Sequence, residues 1–411
     1  MMNLADLNNY CLLNIMDYLN TEDKLRLWKA TEPTTRLADI TSYSWRRRTN
    51  HHIDLNHFTD LELLNTFLSI ICSTVVEVHL TMGDDREPQL NVFRRHIFSK
   101  ARILTIIVKI VYEFEMRTSI DWEIGVLADC FPNIERLLVD GENCTPTGRN
   151  FSKWNRLTHL HVVKASEYWT THNFWVVCDS AKNITALSID FDDEYTLKAT
   201  PYVEAICSLK NLEQLWIKAT NINKENALKL LTELPKLCIF CCNEVGQNWA
   251  PLRSLLETRA HDVLSITLSD FWMCYSPDDI QPDTDDTEAR AQYSQVLKHF
   301  KRLEVIHLKR TNMCGTGNHF WDLIYLCPQL KMISVKLVDM SFFQSSILNI
   351  NRALRHRTQP LNFHVQDTSQ KHLITDMLTR PDLKLTFGPL TKQLHVFDNF
   401  CIEFELFPIA S

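Results

Sequence analysis

Cys238-Ile239-Phe240-Cys241 is the one CxxC in the chain, the spacing of half a zinc site or of a thiol redox pair. Zinc needs three or four converging ligands, and no second CxxC or HxxxH stands at a supporting distance. The stretch therefore reads as part of a strand. His159-Leu160-His161 and His51-His52 read as structural for the same reason. Asp283, Asp285 and Asp286 invite a calcium-loop reading, but the turn glycine and the closing glutamate are missing. Gly315-Thr316-Gly317 stands without the rest of a Walker or dinucleotide motif, and 8 glycines in 411 residues are too few for phosphate-cradling loops. With no GxSxG elbow and no HExxH helix either, the expectation is a chain that is not an enzyme and needs no metal or cofactor.

Composition narrows the remaining classes. A net charge of -7 and a pI near 6.1 oppose general nucleic-acid binding, so Arg46-Arg47-Arg48 and Arg94-Arg95-His96 read as solvated faces. At 45% hydrophobic and 23% charged the composition is that of an ordinary globular protein. No apolar run of membrane-spanning length occurs, and Asn14 and Asp17 interrupt any signal-peptide core. The 13 cysteines follow no disulfide framework, which suits reduced thiols and a cytoplasmic or nuclear location.

The elements that would position any site are periodic. Near the start, Leu12, Ile15, Met16 and Leu19 fall at i, i+3, i+4 and i+7 of a helix capped by Asn8 or Asn9. Thr21, followed by Glu22 and Asp23, opens a second helix carrying Leu25, Leu27 and Trp28, and Pro33 stops it. With Trp45 and Ile53 this forms a unit near the size that seldom holds alone, so its stripe calls for a second surface. Further on a phrase recurs: Ile134 to Val139, Leu157 to Val162, Ile184 to Ile189, Leu212 to Ile217, Leu237 to Cys242, Val263 to Leu268, Leu303 to Leu308 and Leu330 to Val335, with weaker copies at Val75 and Ile103. From Leu157 to Ile184 the step is 27 residues, to Leu212 it is 28, to Leu237 it is 25 and to Val263 it is 26. The last two apolar positions of each phrase lie two apart, as on one face of a strand. Helical stretches such as Tyr202 to Cys207, Ala227 to Leu231 and Phe320 to Tyr325 precede the phrases. One such unit cannot bury its face alone, but a stack can, which predicts a solenoid.

These phrases resemble leucine-rich repeats over roughly residues 70 to 390. The resemblance implies an α/β fold, a horseshoe of alternating helices and short parallel strands whose concave face binds protein. Residues 56–393 are expected to form this solenoid, interrupted by an acidic, exposed loop at about 275–290. Residues 394–411, with Ile402, Phe404 and Leu406, are expected as a segment closing its end.

Residues 1–55 resemble an F-box, the small helical module of F-box/leucine-rich-repeat proteins: Leu7, Leu12, Ile15, Tyr18 and Leu19 occupy its Leu, Leu, Ile, aromatic and Leu positions, with Leu25 and Trp45 following. Asn8 stands where that pattern has Pro, and Tyr10 where it has an acidic residue. The resemblance implies a substrate-recognition subunit of an SCF-type ubiquitin ligase. A Skp-type adaptor would dock on Leu7, Leu12, Ile15, Met16, Tyr18, Leu19 and Leu25 and lead to a cullin-RING ligase. The alternative is a repeat scaffold outside ubiquitin transfer. If Leu215 and Ile217 point to the core, strand alternation sends Gln214, Trp216 and Lys218 outward, and with them His161, Asp190, Cys241, His307, Lys309 and Lys336. That row is the expected target face, with Trp216 as its anchor.

Overall fold

In the computed structural model the described residues are 4–31, 35–83, 86–109, 119–141, 146–165, 171–191, 200–218, 224–243, 250–268, 297–313, 318–338, 340–355, 357–389 and 401–407. The acidic stretch at 275–290 lies outside them. The chain divides into two compact units, Met1–Thr196 with Glu204–Asn211, and Leu197–Val203 with Leu212–Ser411.

The first unit begins with three helices, α1 (Asn9–Tyr18), α2 (Thr21–Ala30) and α3 (Arg36–Arg47). Each starts on a side chain that accepts an otherwise unpaired backbone N–H: Asn8 from Cys11, Asn20 from Asp23, Thr35 from Ala38. Helix α2 opens at Thr21 as expected, with Asn20 as its cap. Helices α1 and α3 run side by side in the same direction. Arg36 donates to Asn9 and to the Leu7 carbonyl at one end, and Arg47 pairs with Asp17 at the other. Between them Leu12, Met16 and Ile40 form the apolar centre.

This helical part is joined to the repeats by packing as well as by chain. Trp45, 1% exposed, meets Phe67 edge-on at 5.1 Å, on the next helix, α4 (Leu61–Ile71). The first strand, β1 (Asn50–Asp54), already pairs with the sheet, so the repeats begin ahead of the boundary expected at residue 56. After it come β2 (Glu77–Met82), α5 (Glu87–Phe93), β3 (Ile103–Val108), α6 (Asp121–Cys130), β4 (Arg136–Gly141), β5 (His159–Ala165), α7 (Thr171–Ser180) and β6 (Ala186–Phe191). A single 3-10 turn, Phe151–Lys153, takes the helix position between β4 and β5. Every strand of this unit pairs in parallel with the next in chain order. The register sets Ile53, Leu80, Ile106, Val139, Val162 and Ile189 in one core row, none more than 2% exposed. Each such side chain contributes about 1.5 to 3 kcal/mol.

A helix, α8 (Thr200–Cys207), spans the division. The second unit continues with β7 (Gln214–Lys218), α9 (Lys224–Glu233), β8 (Ile239–Asn243), α10 (Ala250–Arg259), β9 (Val263–Leu268), β10 (Val305–Met313), α11 (Asn318–Leu326), β11 (Met332–Val338), α12 (Met340–Leu354), β12 (Leu361–Asp367), α13 (Lys371–Leu378), β13 (Leu383–Phe387) and β14 (Cys401–Leu406). Here the order breaks. Strand β14 does not close the end of the solenoid as expected; it runs antiparallel between β8 and β9. Phe404 then sits in the core row, 0% exposed, between Phe240 and Ile266. Two strand spacings, about 9.6 Å, now separate β8 from β9, close to the 8 to 10 Å between packed helices. Helices α9 and α10 accordingly pack directly, with Lys224 paired to Glu257 and Ser254 Oγ donating to the Lys224 carbonyl at 3.2 Å.

Candidate functional site

The adaptor stripe expected on α1 and α2 is split by the fold. Leu12 and Met16 are 0% exposed and Leu25 5%, so they hold the three helices together. Leu7 and Leu19 pack on that centre from its rim, and Ile15 is half-buried. Tyr18 is 92% exposed. The outer surface is therefore aromatic at positions that the apolar pattern passed over. Tyr10 lies two turns before Tyr18 on α1, and Tyr43 lies one turn before the Arg47 that holds Asp17. The F-box resemblance marks Tyr18; only a position opposite the buried stripe marks Tyr10 and Tyr43 as surface residues.

Charge gathers behind this surface. The hydrogen bond from Arg47 holds the Asp17 carboxyl below its usual range, and Arg48 donates to the Asp17 carbonyl at 2.7 Å. Lys24 is 1% exposed, and its Nζ has no hydrogen-bond partner among the described residues. Burial, with the Arg48 charge beside it, pulls its pKa down to about 8. A cavity of about 460 Å³ opens between the start of α2 and β1, lined among others by Asn20, Glu22, Arg48, His51, His52 and His57. His51 Nε2 faces the carbonyls of Trp45 and Arg48 at 3.1 and 3.2 Å, and burial takes its pKa to about 4.

On the sheet face turned from the core, the first unit carries His52, His79, Thr105, Leu138, His161 and Ser188 in one register row. His52 is exposed, the His79 side chain is 33% exposed, and Leu138 and His161 are half-buried. Glu77 binds His79 Nε2 at 2.9 Å and accepts from Asn50 at 3.0 Å. Burial lowers the pKa of His161 to about 4.

The corresponding row of the second unit is Trp216, Cys241, Glu403, Thr267, His307, Ser334 and His364. Its exposure runs from 0% at Ser334 to 9% at His364, with Trp216 and His307 at 6%. The expectation that Trp216 and His307 present an open face is corrected: strand alternation points them away from the core row, but that face is covered as well. Gln214 is half-buried and Lys336 exposed. Asp190, Lys218 and Lys309 belong to β6, β7 and β10, and their side chains lie outside the described residues. Among the described residues no group of three or more His, Cys, Asp or Glu is placed to hold a metal ion, and no helix is long and apolar enough to cross a membrane.

No protein-family model and no curated protein matches the chain. It aligns with the leucine-rich repeat-containing protein LegL7 from Legionella pneumophila at 11% identity and a TM-score of 0.37, over 84% of this chain and 92% of that one. With a crystal structure of the Rad7 and Elc1 complex in yeast the values are 13%, 0.38, 81% and 89%. A TLR13-ssRNA13 complex aligns at 13% and 0.30, and this chain, 84% covered, spans 40% of that one. At these scores the repeat architecture rests on the chain's own strand register.

Proposed function

We propose that the chain is the substrate-recognition subunit of an SCF-type ubiquitin ligase, its helical start docking a Skp-type adaptor and its repeats holding a protein target. The observation that carries this reading is the exposure of Tyr10, Tyr18 and Tyr43 on a three-helix unit whose own centre is already filled. Tyrosines 56 to 92% exposed offer large amphipathic contact area at low entropy cost, the composition of interface anchors. Trp45 packed on Phe67 ties that surface to the repeats, so an adaptor bound at one end would fix where a target is held. The chain then acts by placement, raising the effective concentration of target lysines near activated ubiquitin with no active site of its own. The target face is the end of the first unit's row at His52 and His79, where that row is exposed.

Purified Skp-type adaptor should be captured by the full chain and lost, by tenfold or more in affinity, with Tyr18→Glu or Ile15→Asp. Unchanged capture by both variants would move the docking surface away from Tyr18 and Ile15, and no capture by the full chain would leave the alternative, a repeat scaffold outside ubiquitin transfer.

A further inference from the structure

Strand β14 has the properties of a bound ligand. It pairs antiparallel with β8 on one side and β9 on the other, while β9 and its partner β10 remain parallel. Its sequence alternates, with apolar residues at 402, 404 and 406 and glutamates at 403 and 405. Phe404 stacks on Phe240 at 6.4 Å, Leu406 N donates to the Cys238 carbonyl at 2.7 Å, and Phe407 N to the Asp262 carbonyl at 2.9 Å. Arg259, 2% exposed, donates to the carbonyls of Leu237 and Phe407, and Arg302 lies over the Phe407 ring at 5.1 Å. The slot thus recognises an extended segment by backbone pairing on two edges, one aromatic pocket and a cationic clamp.

We infer that the gap between β8 and β9 is a strand-binding site that also takes residues 401–406 of a second copy of this chain. Two features make the resident strand exchangeable. The 14-residue step from Phe387 to Cys401 can reach about 46 Å, whereas five strand spacings from β13 to the slot need about 24 Å. Two copies that exchange strands regain the same pairings that each gave up, the condition for a closed two-fold assembly. An emptied slot, moreover, presents two open strand edges, which template pairing. One residue fits the slot poorly. Glu403 is 5% exposed beside Cys241 and Thr267 and makes no ion pair among the described residues, and a buried carboxylate weakens the hold. A segment with a neutral residue there binds more tightly than the resident.

Cys241 and Glu403 are register partners, and directly opposed residues in antiparallel strands stand about 4.5 to 5.5 Å apart at Cα, within disulfide reach. The test uses the unsubstituted full chain and a peptide of residues 399–408 carrying Cys in place of Glu403. At about millimolar peptide, comparable to the effective concentration of the tethered strand, mild oxidation should join the peptide to Cys241, mapped by mass spectrometry. The same peptide with Gln in place of Glu403 should compete at severalfold lower concentration than the natural sequence. A full-length Glu403→Cys chain should form this bond within one copy when dilute, and between isotopically distinct copies after incubation when concentrated. Exclusive bonding within one copy at every concentration, together with no peptide capture, would overturn the proposal. So would failure of 241 to bond with 403 at all, because β14 would then lie elsewhere.

Discussion

The two units are built from the same phrase but differ at one end of the row turned from the core: Thr105 and Ser188 of the first unit are 8% and 6% exposed, as in the second, while its first two strands leave the row open. In the first, six strands follow one another in chain order, and the row turned from the core opens toward β1, with His52 exposed and the His79 side chain 33% exposed. In the second, a strand from the end of the chain is set between β8 and β9, and the same row is no more than 9% exposed from Trp216 to His364. Residue type therefore does not make a docking face. Trp216 is the better anchor by chemistry, but His52 and His79 are the ones a partner can reach. A row can bind only where its side chains are exposed, and residue type alone does not report that.

The sharpest way to break this contrast is at β14. Phe404→Ala removes a fully buried ring from the centre of the second unit and should cost about 3 to 5 kcal/mol. Hydrogen exchange should show strands β8 to β10 losing protection while β1 to β5 keep theirs. Equal loss in both units would mean that they unfold as one body.

Trp216→Ala comes next, at about 3 kcal/mol in denaturant unfolding, because the indole is 6% exposed. Were stability unchanged and only target capture lost, the second row would be the binding face after all.

Acid should separate the units in the other direction. The pKa of His51 is about 4 when folded, against an unfolded value near 6.5. Between those two values the unfolded chain holds a proton that the folded chain excludes, so stability falls as pH drops through that window and is flat above it. The loss from this one residue is roughly 2 kcal/mol at pH 5. Urea midpoints at pH 7 and pH 5 should show it in the first unit, and His51→Asn should remove its share of the response while leaving that of His161, whose pKa is also lowered to about 4.

The smallest effect on stability is expected at the open row. His52→Ala and His79→Ala should each change unfolding free energy by less than about 0.5 kcal/mol. Both should nonetheless weaken capture of a target by the full chain. Targets bound equally well by the double variant would remove the first unit's row as the site.

Much of this architecture is local and was legible in residue order. Leu160 and Val162, or Leu215 and Ile217, lie two apart and reach the same side of a strand, and both pairs are buried as that spacing requires. Asn8 caps α1 because a side-chain oxygen next to the first turn satisfies a backbone donor whatever surrounds it. The helical stripe was legible as well, but not what it faces. Leu12 and Met16 were already covered by α3, Ile15 was left half-buried and Tyr18 exposed. Periodicity reports that a face is buried and is silent on its neighbour.

By itself, then, the sequence determined which segments become strands and helices and which side of each turns inward, since those follow from alternation and capping within a few residues. Only the tertiary structure decided that residues 401–406 enter the middle of a sheet rather than its end, and that Trp216 is covered while His52 is not. Backbone edges carry no residue code. Any strand of suitable alternation can pair with an open edge, and the choice between β13 and the β8/β9 gap depends on whether an apolar ring at 404 finds Phe240, and the Phe407 carbonyl finds Arg259, from more than 100 residues away.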